Sequence, residues 1–68
     1  MFVYGDIVKA PKHKFIVVSV DDSNPKGIQY GLIRYNKDNV KVINNDNLSA
    51  PKPQYWYSAD VLEFVEQA

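Results

Sequence analysis

Residues 15–20, Phe-Ile-Val-Val-Ser-Val, constrain the fold of this chain more than any other segment. Ile16, Val17 and Val18 follow one another and are all branched at Cβ, which favours an extended strand over a helix. Both faces of such a strand would be largely apolar, as is typical of a strand covered on both sides. We therefore place this segment at the centre of a β-sheet.

The length of the chain sets the number of domains. A chain of 68 residues forms one core, so we assign residues 1–68 to a single domain. Hydrophobic residues make up 46% of it, which is enough for a packed core and argues against disorder. The chain has no cysteine, which excludes disulfides, thiolate metal sites and cysteine nucleophiles.

The charges and the N-terminal sequence bear on location and partners. Eight Lys and Arg residues balance eight Asp and Glu residues, which argues against a purely electrostatic nucleic-acid binder. The chain opens without a basic leader, and no segment approaches the ~18 apolar residues of a membrane span. We therefore expect a soluble cytoplasmic protein with no membrane partner, in which the match of Asn47 to a glycosylation acceptor is chance.

Turn-forming residues divide the chain into short strands. The predicted strands are residues 2–9, 15–20, 28–35, 40–43, 54–57 and 62–66. Residues 36–39 are predicted to form a hairpin turn and residues 44–53 the longest loop. Gly31 marks a bulge or a point of close approach within its strand. The pattern predicts an all-β domain of five to six strands.

The C-terminal residues allow two interpretations. In the first, Ser58 caps a single helical turn that ends at Val61 and is followed by the last strand. In the second, residues 58–68 form one helix. We prefer the first, because eleven residues are too few for a helix that lacks tertiary support.

Short motifs at both ends of the chain resemble those of a known group of barrels. Gly5-Asp6-Ile7-Val8 opens the first strand, and Trp56-Tyr57-Ser58 followed by Leu62-Glu63 closes the chain. This pattern resembles the small SH3-like barrels, including KOW-like and Tudor-like modules and short barrel proteins of phage and bacterial genomes. The resemblance implies a small SH3-like barrel with a short helical turn before the last strand. The chain departs from the KOW pattern by lacking a glycine between its first two strands.

No pattern of catalytic or metal-binding residues occurs in the sequence. It has neither a phosphate-binding glycine motif nor a nucleophile elbow, and its carboxylates are scattered. His13, the only histidine, lies between two lysines, and we interpret it as an exposed turn residue. Residues 22–27 resemble a calcium loop only faintly, since Lys26 takes the fifth position. We therefore predict no enzymatic activity, no cofactor and no bound metal.

Aromatic residues give the strongest functional signal. Strand alternation places Tyr55 and Tyr57 on one face and Trp56 on the other, so one side of this triplet points away from the core. Exposed aromatic residues commonly anchor protein partners. We therefore expect a small non-catalytic binding module or regulator, of phage or mobile-element type, that binds a protein partner. The candidate residues are Tyr30, Tyr35, Tyr55, Trp56 and Tyr57.

Two other interpretations stay open. A nucleic-acid-binding accessory domain would combine stacking aromatics with a basic edge made of Lys9, Lys12, Lys14, Arg34, Lys37 and Lys41. Its binding would depend strongly on salt. A self-associating subunit would instead use an exposed sheet edge or aromatic patch.

Overall fold

The computed structural model describes residues 1–45 and 50–67, and its main element is one antiparallel sheet. The strands are β1 (Asp6–Ala10), β2 (His13–Asp21), β3 (Gln29–Arg34), β4 (Tyr55–Ser58) and β5 (Glu63–Gln67). A short helix, α1 (Lys37–Ile43), follows β3, and a 3-10 turn (Ala59–Val61) precedes β5. The strand order across the sheet is β4-β3-β2-β1-β5. The prediction of a small all-β domain is confirmed.

The β-branched segment lies at the centre of the sheet, as predicted. β2 pairs with β1 on one side and with β3 on the other. Ile16 and Val17 are both completely buried, and they belong to separate hydrophobic clusters. Because neighbouring strand residues point to opposite faces, β2 contributes side chains to the clusters on both faces of the sheet.

Different partly buried residues pack against the two hydrophobic clusters. The first contains Val8, Phe15, Val17, Tyr30 and Leu32, and Phe2, Ala10, Ile28, Tyr55 and Leu62 pack against it. The second contains Ile7, Ile16, Val18 and Ile33, and Val40, Ile43 and Val65 pack against it. Burial of one Val, Leu, Ile or Phe side chain contributes about 1.5–3 kcal/mol, so these clusters supply the main driving force for folding.

Residues 36–43 differ from the prediction, because they form a cap and a helix. Asn36 is the N-cap, and its Oδ1 accepts a hydrogen bond from the backbone N–H of Asn39 at 2.8 Å. Asp38 lies in the first turn and Lys41 in the last, where each charge interacts favourably with the helix dipole. The predicted hairpin turn at 36–39 and the predicted strand at 40–43 are therefore wrong.

The physical reason for this error lies in the packing of the helix. Val40, Val42 and Ile43 are β-branched, so their intrinsic preference indicates a strand. Val40 and Ile43 are three residues apart, however, and share the helix face that packs on the second cluster. Capping and tertiary contact outweigh a propensity difference of only tenths of a kcal/mol per residue.

The C-terminal segment follows the first of its two interpretations. Ser58 is the N-cap of the 3-10 turn Ala59–Val61, although its side chain makes no capping hydrogen bond. β5 then pairs with β1, with an irregular register beside Val8. The alternative of one helix over residues 58–68 is wrong. Within the described residues, no helix combines the length and the apolar character needed to cross a membrane.

The N-terminal residues form a turn, which shortens the first predicted strand. The Asp6 backbone N–H donates to the Val3 carbonyl at 3.0 Å, and the Val3 N–H donates to Asp6 Oδ2 at 2.9 Å. Gly5 has φ of +90° in this turn, a conformation that favours glycine. The first strand therefore begins at Asp6 rather than at residue 2.

Gly31 is a point of close approach, as predicted. A Cβ atom at this position would lie 2.6 Å from Pro53 Cγ and 3.0 Å from Ser19 Cβ. Opposite Gly31, the register of β2 shifts between Val17 and Ser19. The end of the predicted 44–53 loop is thereby packed onto β3, whereas residues 46–49 of that loop, including Asn47, lie outside the described residues.

Candidate functional site

A concave surface lies where β2 begins, β3 ends and β4 runs beside them. It encloses about 270 Å³ and is lined by His13, Lys14, Phe15, Arg34, Tyr35, Tyr55 and Tyr57. We call this surface the aromatic groove.

Sheet pairing brings these residues together from distant parts of the chain. Phe15 of β2 lies opposite Arg34 of β3, and Leu32 of β3 lies opposite Tyr55 of β4. Beyond the end of β3, the Tyr35 backbone N–H donates to the Lys14 carbonyl at 3.2 Å. The regular sheet therefore fixes the backbone on which the groove is built.

Phe15 forms the floor of the groove. It is 5% exposed, and its ring meets those of Tyr55 and Tyr57 edge to face, with centroids 5.4 Å and 5.9 Å away. The two tyrosine rings are within 6° of parallel, with centroids 6.4 Å apart. Such aromatic pairs contribute about 0.5–1.5 kcal/mol each beyond simple burial, so the rings are held in place before any ligand arrives.

Two cations lie beside tyrosine rings of the groove. Arg34 Nε donates to the Tyr55 hydroxyl at 3.2 Å, and this hydrogen bond raises the pKa of the Arg34 guanidinium above its ordinary value. Lys14 Nζ lies 5.6 Å from the centroid of the Tyr35 ring, a cation–π distance. Arg34, like arginine in general, is charged at every physiological pH.

Among the residues that the structure describes, the groove-lining cations have no acidic partner. The one ion pair among residues 1–45 and 50–67 joins Lys9 and Glu63, whose charged atoms are 3.6 Å apart. No Asp or Glu of the described ranges belongs to the lining of the groove. The groove therefore presents positive charge and aromatic surface together.

A second concave surface continues from the first. It encloses about 430 Å³ and is lined by Tyr35, Asn36, Lys37, Val40 and Lys41. We call it the helix pocket. Tyr35 belongs to both surfaces, so they adjoin at this residue. Lys37 and Lys41 are four residues apart on α1 and therefore share a helix face.

The structure separates the aromatic residues singled out in the sequence. Tyr35, Tyr55 and Tyr57 line the groove. Trp56 is 48% exposed and, by strand alternation, points to the opposite face of β4 from its two neighbours. Tyr30 is 1% exposed, and its hydroxyl accepts a hydrogen bond from the Phe2 backbone N–H at 3.1 Å. Tyr30 is thus a core residue and is not available to a partner.

The residues of the predicted basic edge also lie on different surfaces. Its members Lys14 and Arg34 line the groove, and Lys37 and Lys41 line the helix pocket. Lys9 is instead paired with Glu63, and Lys12 is exposed in the turn between β1 and β2.

Sequence reasoning missed four contributors to these surfaces, namely His13, Phe15, Asn36 and Val40. The sequence predicts Phe15 only as part of the central strand, but its buried ring also forms the floor of the groove. Val40 lines the helix pocket because residues 37–43 are helical. His13 is exposed, as predicted, but it is the first residue of β2 and not a turn residue, and it also belongs to the groove.

The described residues carry no recognisable metal centre. Across residues 1–45 and 50–67, no group of three or more His, Cys, Asp or Glu side chains is arranged to hold a metal ion. Residues 22–27, which resemble a calcium loop faintly, form a turn closed by a hydrogen bond from the Gly27 N–H to the Asn24 carbonyl at 3.0 Å.

Comparisons of this chain with protein-family models, with curated proteins and with solved structures gave no match. Function is therefore inferred from the geometry of the groove.

Proposed function

We propose that this chain is a non-catalytic binding module whose aromatic groove holds a segment of a protein partner. The observation that supports this proposal is the fixed set of rings formed by Phe15, Tyr55 and Tyr57, with Arg34 beside it. Tyr and Arg are among the residues that contribute most to protein interfaces. Rings that are already ordered lose little conformational entropy when a partner binds.

The size of the groove favours a segment over a whole domain face. A cavity of about 270 Å³ is near the lower end of the range for small-ligand pockets. It has room for one or two side chains of a partner. The remaining contacts would come from the rim and from the adjoining helix pocket.

We further propose that the sheet curls into a small SH3-like barrel. β4 and β5 are the two edges of the sheet, yet only residues 59–62 connect them. In a flat sheet these edges would lie roughly 19 Å apart, whereas a connection containing a 3-10 turn reaches only about 13 Å. Strong curvature resolves this difference and supports a barrel-like closure. We propose the phage or mobile-element character of the module from the sequence resemblance alone, and its cytoplasmic location from the composition of the sequence.

Capture of a partner by matched variants tests the protein-binding proposal. The tagged chain and its Tyr57→Ala and Trp56→Ala variants would be used in pull-downs from lysate, at low and high salt, with and without nuclease. Circular dichroism would first show that each variant is folded. We expect a discrete protein band that resists nuclease, is lost with Tyr57→Ala and is kept with Trp56→Ala. A band lost only with Trp56→Ala would contradict the proposal.

A nucleic-acid-binding accessory domain is the second candidate. It is favoured by the position of Lys14, Arg34, Lys37 and Lys41 on two adjoining surfaces that share Tyr35. On single strands, the logarithm of the binding constant falls with the logarithm of salt by about 0.7 for each phosphate contacted. Recovery of nucleic acid that is lost after nuclease and at high salt would favour this candidate over the first.

A further inference from the structure

We infer that the segment held in the aromatic groove is acidic and carries an apolar side chain next to its carboxylates. This inference rests on the proposed function and names the chemistry of the partner.

The cations of the groove supply the first step. Arg34 uses Nε to contact the Tyr55 hydroxyl, and its terminal nitrogens form no hydrogen bond or ion pair with the part of the chain that the structure describes. A guanidinium fork matches the two oxygens of a carboxylate. Lys14 also has no carboxylate partner among the described residues. Carboxylates on the partner would therefore complement these cations.

The aromatic floor supplies the second step. Tyr57 is 37% exposed and Tyr55 is half-buried, so both rings offer apolar surface above Phe15. An apolar side chain on this surface would exclude water from the neighbouring charge pairs, which strengthens them. The groove thus selects for an acidic residue and an apolar residue close together, and not for either alone.

The helix pocket extends this pattern. A segment that leaves the groove past Tyr35 reaches Lys37, Lys41 and the half-buried Val40. Positive charge and apolar surface are again adjacent there. A partner with a second acidic and apolar pair further along its chain would therefore occupy both surfaces.

Two features favour an acidic protein segment over single-stranded nucleic acid. Nucleic acid gains much of its affinity from many Lys and Arg contacts to phosphates, which an excess of positive charge favours, and the formal net charge of this chain is zero. Bases also stack on free ring faces, whereas the Lys14 ammonium lies over the ring of Tyr35.

NMR titration of the ¹⁵N-labelled chain tests the inference. The probe is a capped peptide, acetyl-Glu-Phe-Asp-Glu-Phe-Glu-amide. Its controls are the same peptide with Gln and Asn in place of the acids, and a six-nucleotide oligothymidine. We expect saturable shifts of the amides of Lys14, Arg34, Tyr35 and Tyr57 with the acidic peptide, and binding at least about fivefold weaker for the neutral peptide.

Charge-removing variants sharpen this test. Lys14→Gln and Arg34→Gln should each weaken binding of the acidic peptide about two- to fivefold, the range of an exposed ion pair. Lys26→Gln removes the same charge at the other end of the β2–β3 hairpin and should leave binding unchanged.

The contrary outcomes separate the two proposals. Equal binding of the neutral peptide at the same amides would overturn the inference and leave the groove as a protein-binding site. If the acidic peptide does not bind and a partner is still captured in a way that depends on Tyr57, the inference is overturned and the groove remains a protein-binding site. Tighter binding of oligothymidine at these amides would overturn both proposals in favour of nucleic acid.

Discussion

The two ends of the β2–β3 hairpin are built differently. At the far end, the polar side chains satisfy one another: Asp21 Oδ1 accepts from the Ser23 N–H at 3.0 Å and from its hydroxyl at 2.7 Å. At the groove end, Lys14 and Arg34 lie beside aromatic rings and have no carboxylate partner within the described residues. Asp21 and Ser23 at the far end are therefore hydrogen-bonded to each other, whereas Lys14 and Arg34 at the groove end would be complemented by an anionic partner.

Replacement of Phe15, at the groove end, should lower the free energy of unfolding more than any of the substitutions below. Phe15→Ala removes the floor of the groove and a buried core ring, and we expect a loss of about 3–5 kcal/mol in the free energy of unfolding. Urea denaturation followed by circular dichroism measures this loss. Phe15→Leu serves as the companion variant, because it keeps most of the side-chain volume but not the ring contacts. A loss below about 1 kcal/mol for Phe15→Ala would contradict its placement in the core.

Gly27 tests the opposite end of the hairpin. It has φ of +117°, which residues other than glycine rarely adopt, and a Cβ there would meet no atom of the described residues within 4 Å. Gly27→Ala should therefore destabilise the fold by about 1–2 kcal/mol through backbone strain alone. Its affinity for a groove ligand should match that of the original chain. Thermal melts give the first quantity, and an altered affinity would show that the two ends are coupled.

Replacement of Asn36 tests the N-cap of α1, the helix that lines the helix pocket. Asn36→Ala removes the acceptor of the Asn39 N–H and should cost about 1 kcal/mol, whereas Asn36→Ser should restore most of that stability. Urea midpoints of the two variants check this expectation. Equal midpoints for Ala and Ser at this position would mean that the cap contributes nothing to the fold.

The smallest expected effect is on the pH dependence of stability at Asp21, at the far end of the β2–β3 hairpin. The hydrogen bonds from the Ser23 hydroxyl and N–H lower the pKa of Asp21 below its ordinary value. A lowered pKa in the folded state stabilises the fold above the pKa of the unfolded chain, and that contribution is lost as the pH falls through the folded pKa. Asp21→Asn should therefore show a slightly shallower fall in melting temperature below about pH 4. Because the site is exposed, a difference as large as that of Gly27→Ala would contradict this picture.

The sequence predicts those features that depend on local chemistry. The β-branched run at 15–20 indicates a central strand because both of its faces are apolar. Strand alternation also separates Trp56 from Tyr55 and Tyr57. The glycine at position 31 indicates close approach, which Pro53 provides.

Other features depend on contacts between distant residues and could not be predicted in this way. The burial of Tyr30 depends in part on Phe2, whose ring lies edge to face with it at 5.1 Å. The helix at 37–43 depends on the second cluster, which receives Val40 and Ile43. The groove itself joins residues of three strands whose pairing no local pattern specifies.

Photo-crosslinking from the two faces of β4 tests the central claim most directly. Benzoylphenylalanine would replace Tyr57 in one variant and Trp56 in another, at adjacent positions that point to opposite faces and are 37% and 48% exposed. Irradiation in lysate, followed by mass spectrometry, identifies the crosslinked protein. We predict a partner crosslink from position 57 and none from position 56. A crosslink from position 56 alone would place the partner on the opposite face and contradict the assignment of the groove.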